Sequence, residues 1–332
     1  MRITAKAPCR VDMAGGTLDI WPLYLFHHNA VTVNFAIDRY TSCTLETRED
    51  SQIILRSRDL NREERFPSLE ALVSAKRYRL PLLAWVVRHF APQTGIELST
   101  DSEAPAGAGI SGSSALIIAV ASALNRLTKA GHSLEKLREI AQNIEAQIIR
   151  VPTGSQDYYP AMYGGVSALE LSPAGITRRE IPLPPEELNS RFLLAYTGVP
   201  RNSGINNWEV MKAHIDRDRA VHRNFTRISA IANGMRTALE SANWDDAGRL
   251  LREEWSLRRK NAPGISTPLI DRLIQVTRRA GAEGAKVCGA GGGGCVFFLV
   301  DCGAKASVAA AIAKEGATVL SATLSPRGVK LG

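Results

Sequence analysis

Pro105-Ala-Gly107-Ala108-Gly109-Ile110-Ser111-Gly112-Ser113-Ser114-Ala115 sets three glycines and three serines immediately before the apolar run of residues 115–124. Glycine lets backbone N–H groups come close to an oxyanion, and a helix that starts at the end of the loop adds about half a positive charge there. A strand over residues 95–100, this loop and a helix over residues 114–127 therefore make a cradle for phosphate. A flexible linker would be as rich in glycine and serine, but a linker is seldom followed at once by so apolar a helix. The loop also spells G-x-G-x-x-G. The dinucleotide fingerprint of that spelling belongs to the first turn of a βαβ unit, whereas here it comes a third of the way into the chain, after strands that do not alternate with helices. G-x-x-x-x-G-K-[ST] is not present in it either, so the loop is neither of the two commonest phosphate binders.

Upstream of the loop the chain is β-rich. Residues 2–5, 30–38, 40–47 and 52–56 read as strands, and apolar positions recur at helical spacing over residues 69–90. Downstream, Ser133 caps a helix over residues 134–149 whose stripe is Leu134, Leu137, Ile140, Ala141, Ile144 and Ile148, with Glu145 beside it. Prolines at 182, 184 and 185 remove backbone donors and break regular structure. The domain boundary is placed there, giving units of residues 1–182 and 189–332. The second unit reads as a strand over residues 191–196, helices between about 205 and 280, and a strand over residues 295–300, a mixed α+β pattern.

Three further clusters carry chemistry. In Arg10-Val-Asp12-Met-Ala-Gly15-Gly16-Thr17-Leu-Asp19, the guanidinium of Arg10 could hold phosphate or a developing alkoxide and Asp19 could accept hydroxyl hydrogens from a polyol. A surface Arg10–Asp12 pair and a turn aspartate explain the same residues equally well. In Thr153-Gly154-Ser-Gln156-Asp157, Asp157 ends a glycine turn, and as a helix N-cap it would need no further role. Lys286-Val-Cys288-Gly289-Ala-Gly291-Gly292-Gly-Gly294 leads into a strand, so it lacks a helix dipole; it suits a turn packed close against a ligand or against the first unit.

Composition excludes whole classes. Of 332 residues, 45% are hydrophobic and 22% charged, proportions of a folded chain of about two domains rather than a disordered, collagenous or coiled-coil one. The longest apolar runs fall short of the ~20 residues that span a bilayer, and the first residues carry no apolar signal core, so a cytoplasmic protein without membrane contact is expected. Cys9, Cys43, Cys288, Cys295 and Cys302 contain no C-x-x-C pair and read as small hydrophobes rather than metal ligands. The net charge of +8 suits an anionic ligand. An RNA-binding protein is the rival outside enzymes, but aromatics at 6% with no basic run beside them argue against nucleic acid as a partner.

The order of these motifs resembles the GHMP kinases, the superfamily of galactokinase, homoserine kinase, mevalonate kinase and phosphomevalonate kinase, over nearly the whole chain. Residues 105–115 match the family's phosphate loop, residues 289–294 its C-terminal glycine stretch, and residues 154–157 its catalytic-aspartate turn. Lys6-Ala-Pro-Cys-Arg10 and the Gly15-Gly16-Thr17-Leu-Asp19 stretch are most similar to bacterial D-glycero-D-manno-heptose phosphate kinases. The Glu and His that galactokinase has in this turn are absent, which counts against galactose itself as the acceptor.

The resemblance implies a two-domain α+β fold, with a β-rich N-terminal domain holding the phosphate loop and helix in a left-handed crossover and a ferredoxin-like α+β C-terminal domain. It also implies an ATP- and Mg²⁺-dependent kinase acting on a small-molecule hydroxyl, with a heptose 7-phosphate as leading acceptor and another monosaccharide, a uronic acid or a mevalonate-like alcohol as alternatives. By the same resemblance Asp157 and Arg10 are catalytic, and Pro105, Gly107, Ala108, Gly109, Ile110, Ser111, Gly112, Ser113 and Ser114 hold the nucleotide phosphates. Ser114 and Glu145 are Mg²⁺ ligands. Gly15, Gly16, Thr17, Asp19, Tyr24, Gly154, Gln156, Gly291, Gly292 and Arg201 face the substrate, Arg201 as a partner for its phosphate. Two departures stand out: Ser111-Gly112 reverses the family's Gly-Ser order, and Thr17 or Leu18 replaces a glycine of the heptose kinases. Monomer and homodimer are both left open.

Overall fold

A computed structural model describes residues 1–200 and 203–332. The first sheet is built from β1 (Arg2–Ala14), β2 (Val31–Thr47), β3 (Ile53–Ser57) and β4 (Arg62–Phe66), followed by helices α1 (Leu69–Ser74) and α2 (Pro81–Phe90) and by β5 (Ile96–Ser102). Then come α3 (Gly112–Thr128), α4 (Leu134–Ile149), α5 (Tyr158–Tyr163), β6 (Val166–Ser172) and β7 (Gly175–Ile181). Sequence spacing suggests one helical stretch over residues 69–90. It divides in two because Pro81 cannot sit inside a helix and instead opens α2.

Strands β1 and β2 pair antiparallel along most of their length, with a register shift between Pro8 and Cys9 that skips residues 38 and 39 of β2. That bulge is why residues 30–38 and 40–47 read as two strands although they form one. Past the bulge β2 turns from one neighbour to another: residues 31–35 pair with β6 and residues 41–47 with β5. β3 runs parallel to β5, so strand, loop and helix follow one another from β5 into α3.

Helix α3 is apolar on every side because it is buried on every side. It packs against β1, β2, α2, α4 and α5, and residues 117–121 are all buried. This anchors the helix N-terminus, and hence the phosphate loop, in the packed core. The four apolar-to-buried stripe positions Leu137, Ile140, Ala141 and Ile144 of α4 bring the buried Glu145 with them.

After α6 (Pro185–Ser190) the second sheet comprises β8 (Phe192–Tyr196), then helices α7 (Ser203–Ile215), α8 (Arg219–Glu240), α9 (Trp244–Arg258) and α10 (Pro268–Arg279), then β9 (Ala282–Val287), β10 (Cys295–Val300), α11 (Lys305–Lys314) and β11 (Thr318–Leu320). Its spatial order β11-β8-β10-β9, all antiparallel, is the ferredoxin-like arrangement. The chain's last stretch does not stay there. β12 (Lys330–Leu331) adds to β1, and Leu324 bridges Ile37, so the tail after β11 returns to the first sheet, where it covers the edge of β1. Among the described residues no helix is long and apolar enough to cross a membrane.

Candidate active site

Arg10 is the joint of the site. It lies on β1, its side chain is 3% exposed, and it donates from Nε (2.9 Å) and Nη2 (2.6 Å) to Asp157 Oδ1. Nη1 donates to the carbonyls of Gly109 (2.8 Å) and Cys288 (2.5 Å). One guanidinium therefore ties together the phosphate loop, the second glycine cluster and the Asp157 turn. Four of its five N–H groups are engaged, which leaves one on Nη2 for an incoming anion. The alternative Arg10–Asp12 pair is not what forms. Asp157 opens α5 but makes no capping bond, so its carboxylate serves the cleft rather than the helix.

The loop is held from both sides. Arg10 N donates to Ile110 O at 3.0 Å and Cys295 N to Ala108 O at 2.6 Å. Gly294 has φ +76°, and a Cβ there would lie 2.6 Å from Ala108 O, so the second glycine cluster packs against the first unit's loop. Gly291 and Gly292 lie against Ile265, whose carbonyl accepts from Gly292 N at 2.9 Å. They are not brought to the cleft, whose wall takes Gly289 and Ala290 instead. Ile110 is fully buried in the core and offers the site only its backbone.

The reversed pair Ser111-Gly112 has a structural consequence. Ser111, not Gly112, takes the left-handed conformation at φ +61° and ψ +35°, and its hydroxyl is buried with no partner. A left-handed non-glycine residue costs roughly 1–2 kcal/mol. Ser111→Gly is therefore expected to stabilise the ligand-free protein by about 1 kcal/mol once the entropy of glycine is subtracted, measured by urea denaturation. Because Ser111 lines the cleft, the same change should raise KM for nucleotide; an unchanged KM would show that the hydroxyl holds no phosphate.

Ser113 Oγ donates to Glu145 Oε1 at 2.7 Å and Ser114 Oγ to Oε2 at 3.2 Å, with the Tyr158 hydroxyl also on Oε2. Burial pushes the Glu145 carboxyl up, and the hydrogen bonds from Ser113, Tyr158 and Ser114 only partly offset it. A buried carboxylate driven toward protonation among hydroxyl oxygens is a donor set that a hard dication would suit.

Across the cleft, Asp19 is 2% exposed. Its Oδ2 accepts from Gln156 N at 2.8 Å, and a side chain at Gly154 would strike that oxygen. Burial, then the charge of Asp157, pushes the Asp19 carboxyl up to about 7. In the unfolded chain it ionises near 4, so between about pH 4 and 7 the folded state holds the extra proton. This group's contribution to stability accordingly falls as pH rises through that window. The Asp19→Asn variant should lose that slope relative to the wild type in denaturation midpoints taken from pH 4 to 8; identical slopes would rule the assignment out. Thr17, Gly154 and Gln156 line the same cleft, whereas Tyr24 is half-buried against the core and does not. Arg201 lies outside the described residues.

Sequence reading alone misses a buried ionic network beneath the Gly15-Gly16-Thr17 turn. Lys286 Nζ lies 2.8 Å from Asp12 Oδ2 and 3.2 Å from Glu254 Oε2, and Arg258 Nη2 lies 2.6 Å from Glu254 Oε1. Burial alone would raise Asp12, but Lys286, Arg258 and Arg10 outweigh it and hold the carboxyl below its ordinary value. Two cations and two anions thus balance where little water reaches. The network also grips the turn: Glu254 Oε1 accepts from Gly15 N at 3.2 Å, and Arg258 donates to Gly16 O at 2.7 Å and Thr17 Oγ1 at 3.3 Å. Gly15 is required at φ +83°, since a Cβ would lie 2.1 Å from Val31 O. The i,i+4 spacing of Glu254 and Arg258 was the available signal.

All of this opens on one cleft of about 530 Å³. Its lining includes the charged side chains of Arg10, Asp19, Asp157 and Arg258 and the apolar ones of Leu60, Leu80, Leu83, Leu116, Ile148 and Ile149.

A glycine loop at a buried helix N-terminus, facing an Arg–Asp pair across a cleft between two such units, defines a phosphoryl-transfer enzyme. The families GHMP kinases N terminal domain and GHMP kinases C terminal match residues 78–165 and 235–318; the chain belongs to the GHMP kinases and is a kinase acting on a sugar or alcohol, with ATP as the family's phosphoryl donor. It is 28% identical to D-glycero-alpha-D-manno-heptose 7-phosphate kinase of Campylobacter jejuni over 99% of this chain and 98% of that protein. A solved structure of a putative sugar kinase from Campylobacter jejuni superposes with a TM-score of 0.78 at 25% identity, covering 100% of this chain and 98% of that one. The mevalonate kinase of Methanococcus jannaschii shares the fold, with a TM-score of 0.77 at 22% identity over 97% of this chain and 98% of that one.

Proposed function

We propose that the protein transfers the γ-phosphoryl group of ATP to a hydroxyl of a sugar phosphate, with a heptose 7-phosphate as the leading acceptor. The Arg10–Asp157 pair, set against the glycine loop, is the observation that carries the reading. Both guanidinium bonds to the carboxylate fall on Oδ1, so Oδ2 is the oxygen left to orient the acceptor hydroxyl and take its proton. The remaining Nη2 hydrogen of Arg10 then meets charge that develops on the transferring group. Backbone N–H groups of residues 107–114 and the α3 N-terminus hold the triphosphate, and the apolar lining of the cleft seats the purine ring.

Ser114 and Glu145 would hold Mg²⁺, which would supply charge neutralisation at the nucleotide phosphates. Asp19, held by the Gln156 backbone, accepts from a sugar hydroxyl, and Thr17 and Gln156 lie beside it. The heptose 7-phosphate assignment is supported by the relative from Campylobacter jejuni and by the Gly15–Asp19 turn. An ADP-release assay with ATP and Mg²⁺ against heptose 7-phosphate, free heptoses, hexoses, uronic acids and mevalonate tests it. Asp157-dependent turnover highest on heptose 7-phosphate is expected; a higher kcat/KM on any other member reassigns the acceptor.

A further inference from the structure

We propose that His27, His214 and His222 form a second, non-catalytic site, one that binds a first-row transition dication such as Zn²⁺ and fastens α7 and α8 to the segment that follows the substrate turn. His27 ends the short 3₁₀ turn Leu23–Phe26, His214 lies in the last turn of α7 and His222 in the first turn of α8. One ligand nitrogen from each lies within 4.8 Å of the others, and the Nε2 atoms of His27 and His214 are 2.8 Å apart. Three imidazole nitrogens about 2.0–2.1 Å from a tetrahedral Zn²⁺ would stand about 3.3 Å from one another. A spreading of the first pair and a side-chain turn of the exposed His222 reach that geometry.

The hydrogen bonds fix which nitrogen faces the centre. The Thr226 hydroxyl donates to His222 O at 3.1 Å, so at His27 Nδ1, 3.2 Å away, it must accept. His27 therefore carries its proton on Nδ1 and turns the Nε2 lone pair toward His214, the arrangement by which outer partners orient metal-binding histidines. His214 is 4% exposed; with His27 protonated on Nδ1, the 2.8 Å bond between the two Nε2 atoms is donated by His214, so metal binding shifts that proton to His214 Nδ1, which has no other partner.

Three imidazoles select a transition metal over Mg²⁺, which separates this site from the cation of phosphoryl transfer. Arg217, Arg219 and Arg223 rim the adjoining recess of about 550 Å³. Their charge disfavours a bare dication and favours an anionic fourth ligand, hydroxide or chloride. The bound metal would steady α7, whose Asn207 lines the active cleft, and so act on acceptor KM rather than on kcat.

The test uses the full chain, stripped with EDTA and dialysed, then titrated with Zn²⁺ by calorimetry and with Co²⁺ by visible absorption. One equivalent with the d–d bands of four-coordinate Co²⁺ is expected, together with a rise in Tm. His222→Ala, at an exposed position, should fold with unchanged Tm in EDTA yet lose those bands, and Thr226→Val should bind about tenfold more weakly. No binding by the wild type would make the cluster a packed set of neutral rings and overturn the proposal. Bands that persist in both His222→Ala and His27→Gln would assign the metal to other groups and overturn it equally.

Discussion

Asp157→Ala is expected to lower kcat by about 10²–10⁴-fold, the usual worth of a positioned general base, while KM for ATP changes little. Asp157 reaches the glycine loop only through Arg10, whose Nη1 donates to Gly109 O, so the effect on nucleotide binding is the smaller one. Its loss nevertheless strands Arg10, whose Nε and Nη2 both donate to it and whose side chain is almost wholly buried. An orphaned buried cation is destabilising, so a fall in activity could be a fall in folded protein. Asp157→Asn separates the two effects, because the amide oxygen still accepts from Arg10 but cannot take a proton. Both variants should lose turnover, and the alanine variant should lose more stability than the asparagine one, because only it leaves the Nε and Nη2 donors of Arg10 unpaired. Turnover near the wild-type value in the asparagine variant would remove Asp157 from the chemistry, whatever its effect on folding.

What the sequence made legible followed from local rules, and what it hid depended on the fold. The phosphate loop declares itself because glycines, serines and an apolar helix lie next to one another in the chain, and Glu145 could be placed because it rides on the periodic stripe of α4. The meeting of Arg10 with Asp157 spans 147 positions. No spacing rule reaches across them; only the resemblance to a known family joined the two residues beforehand. The same limit explains Gly291 and Gly292. Their backbone comes close to that of Ile265, and a glycine's reason for being there depends on what the fold brings near. The position of Ser111 shows a finer failure. Glycine sits at position 112, but the left-handed backbone falls one residue earlier, on the serine. The tail's return to the first sheet is not legible because a two-residue strand such as β12 has no pattern of its own and exists only through its partner β1. His27, His214 and His222 come from three elements and share no motif, so their proximity is purely tertiary.

The ionic network beneath the substrate turn should give the largest change in stability. Lys286 comes from β9, Glu254 and Arg258 from α9 and Asp12 from β1, so the charges join the second unit to the first sheet. Lys286→Met fills much of the same space but leaves two buried carboxylates facing one guanidinium, and breaking a buried pair in this way costs about 3–5 kcal/mol. Adding Glu254→Gln restores neutrality among the remaining groups. The double variant is therefore expected to be more stable than Lys286→Met alone, with a coupling of about 0.5–3 kcal/mol in a double-mutant cycle read from urea midpoints. Additive losses would mean that water screens the site and that the charges act independently. The kinetic signature follows from what the network holds. Gly15, Gly16 and Thr17 are gripped by Glu254 and Arg258, and this turn leads directly to Asp19, whereas the glycine loop hangs from Arg10 and Cys295. At a temperature where the variant remains folded, KM for the sugar should rise while KM for ATP stays near the wild-type value. Equal rises in both would show instead that the network supports the whole cleft rather than its acceptor side.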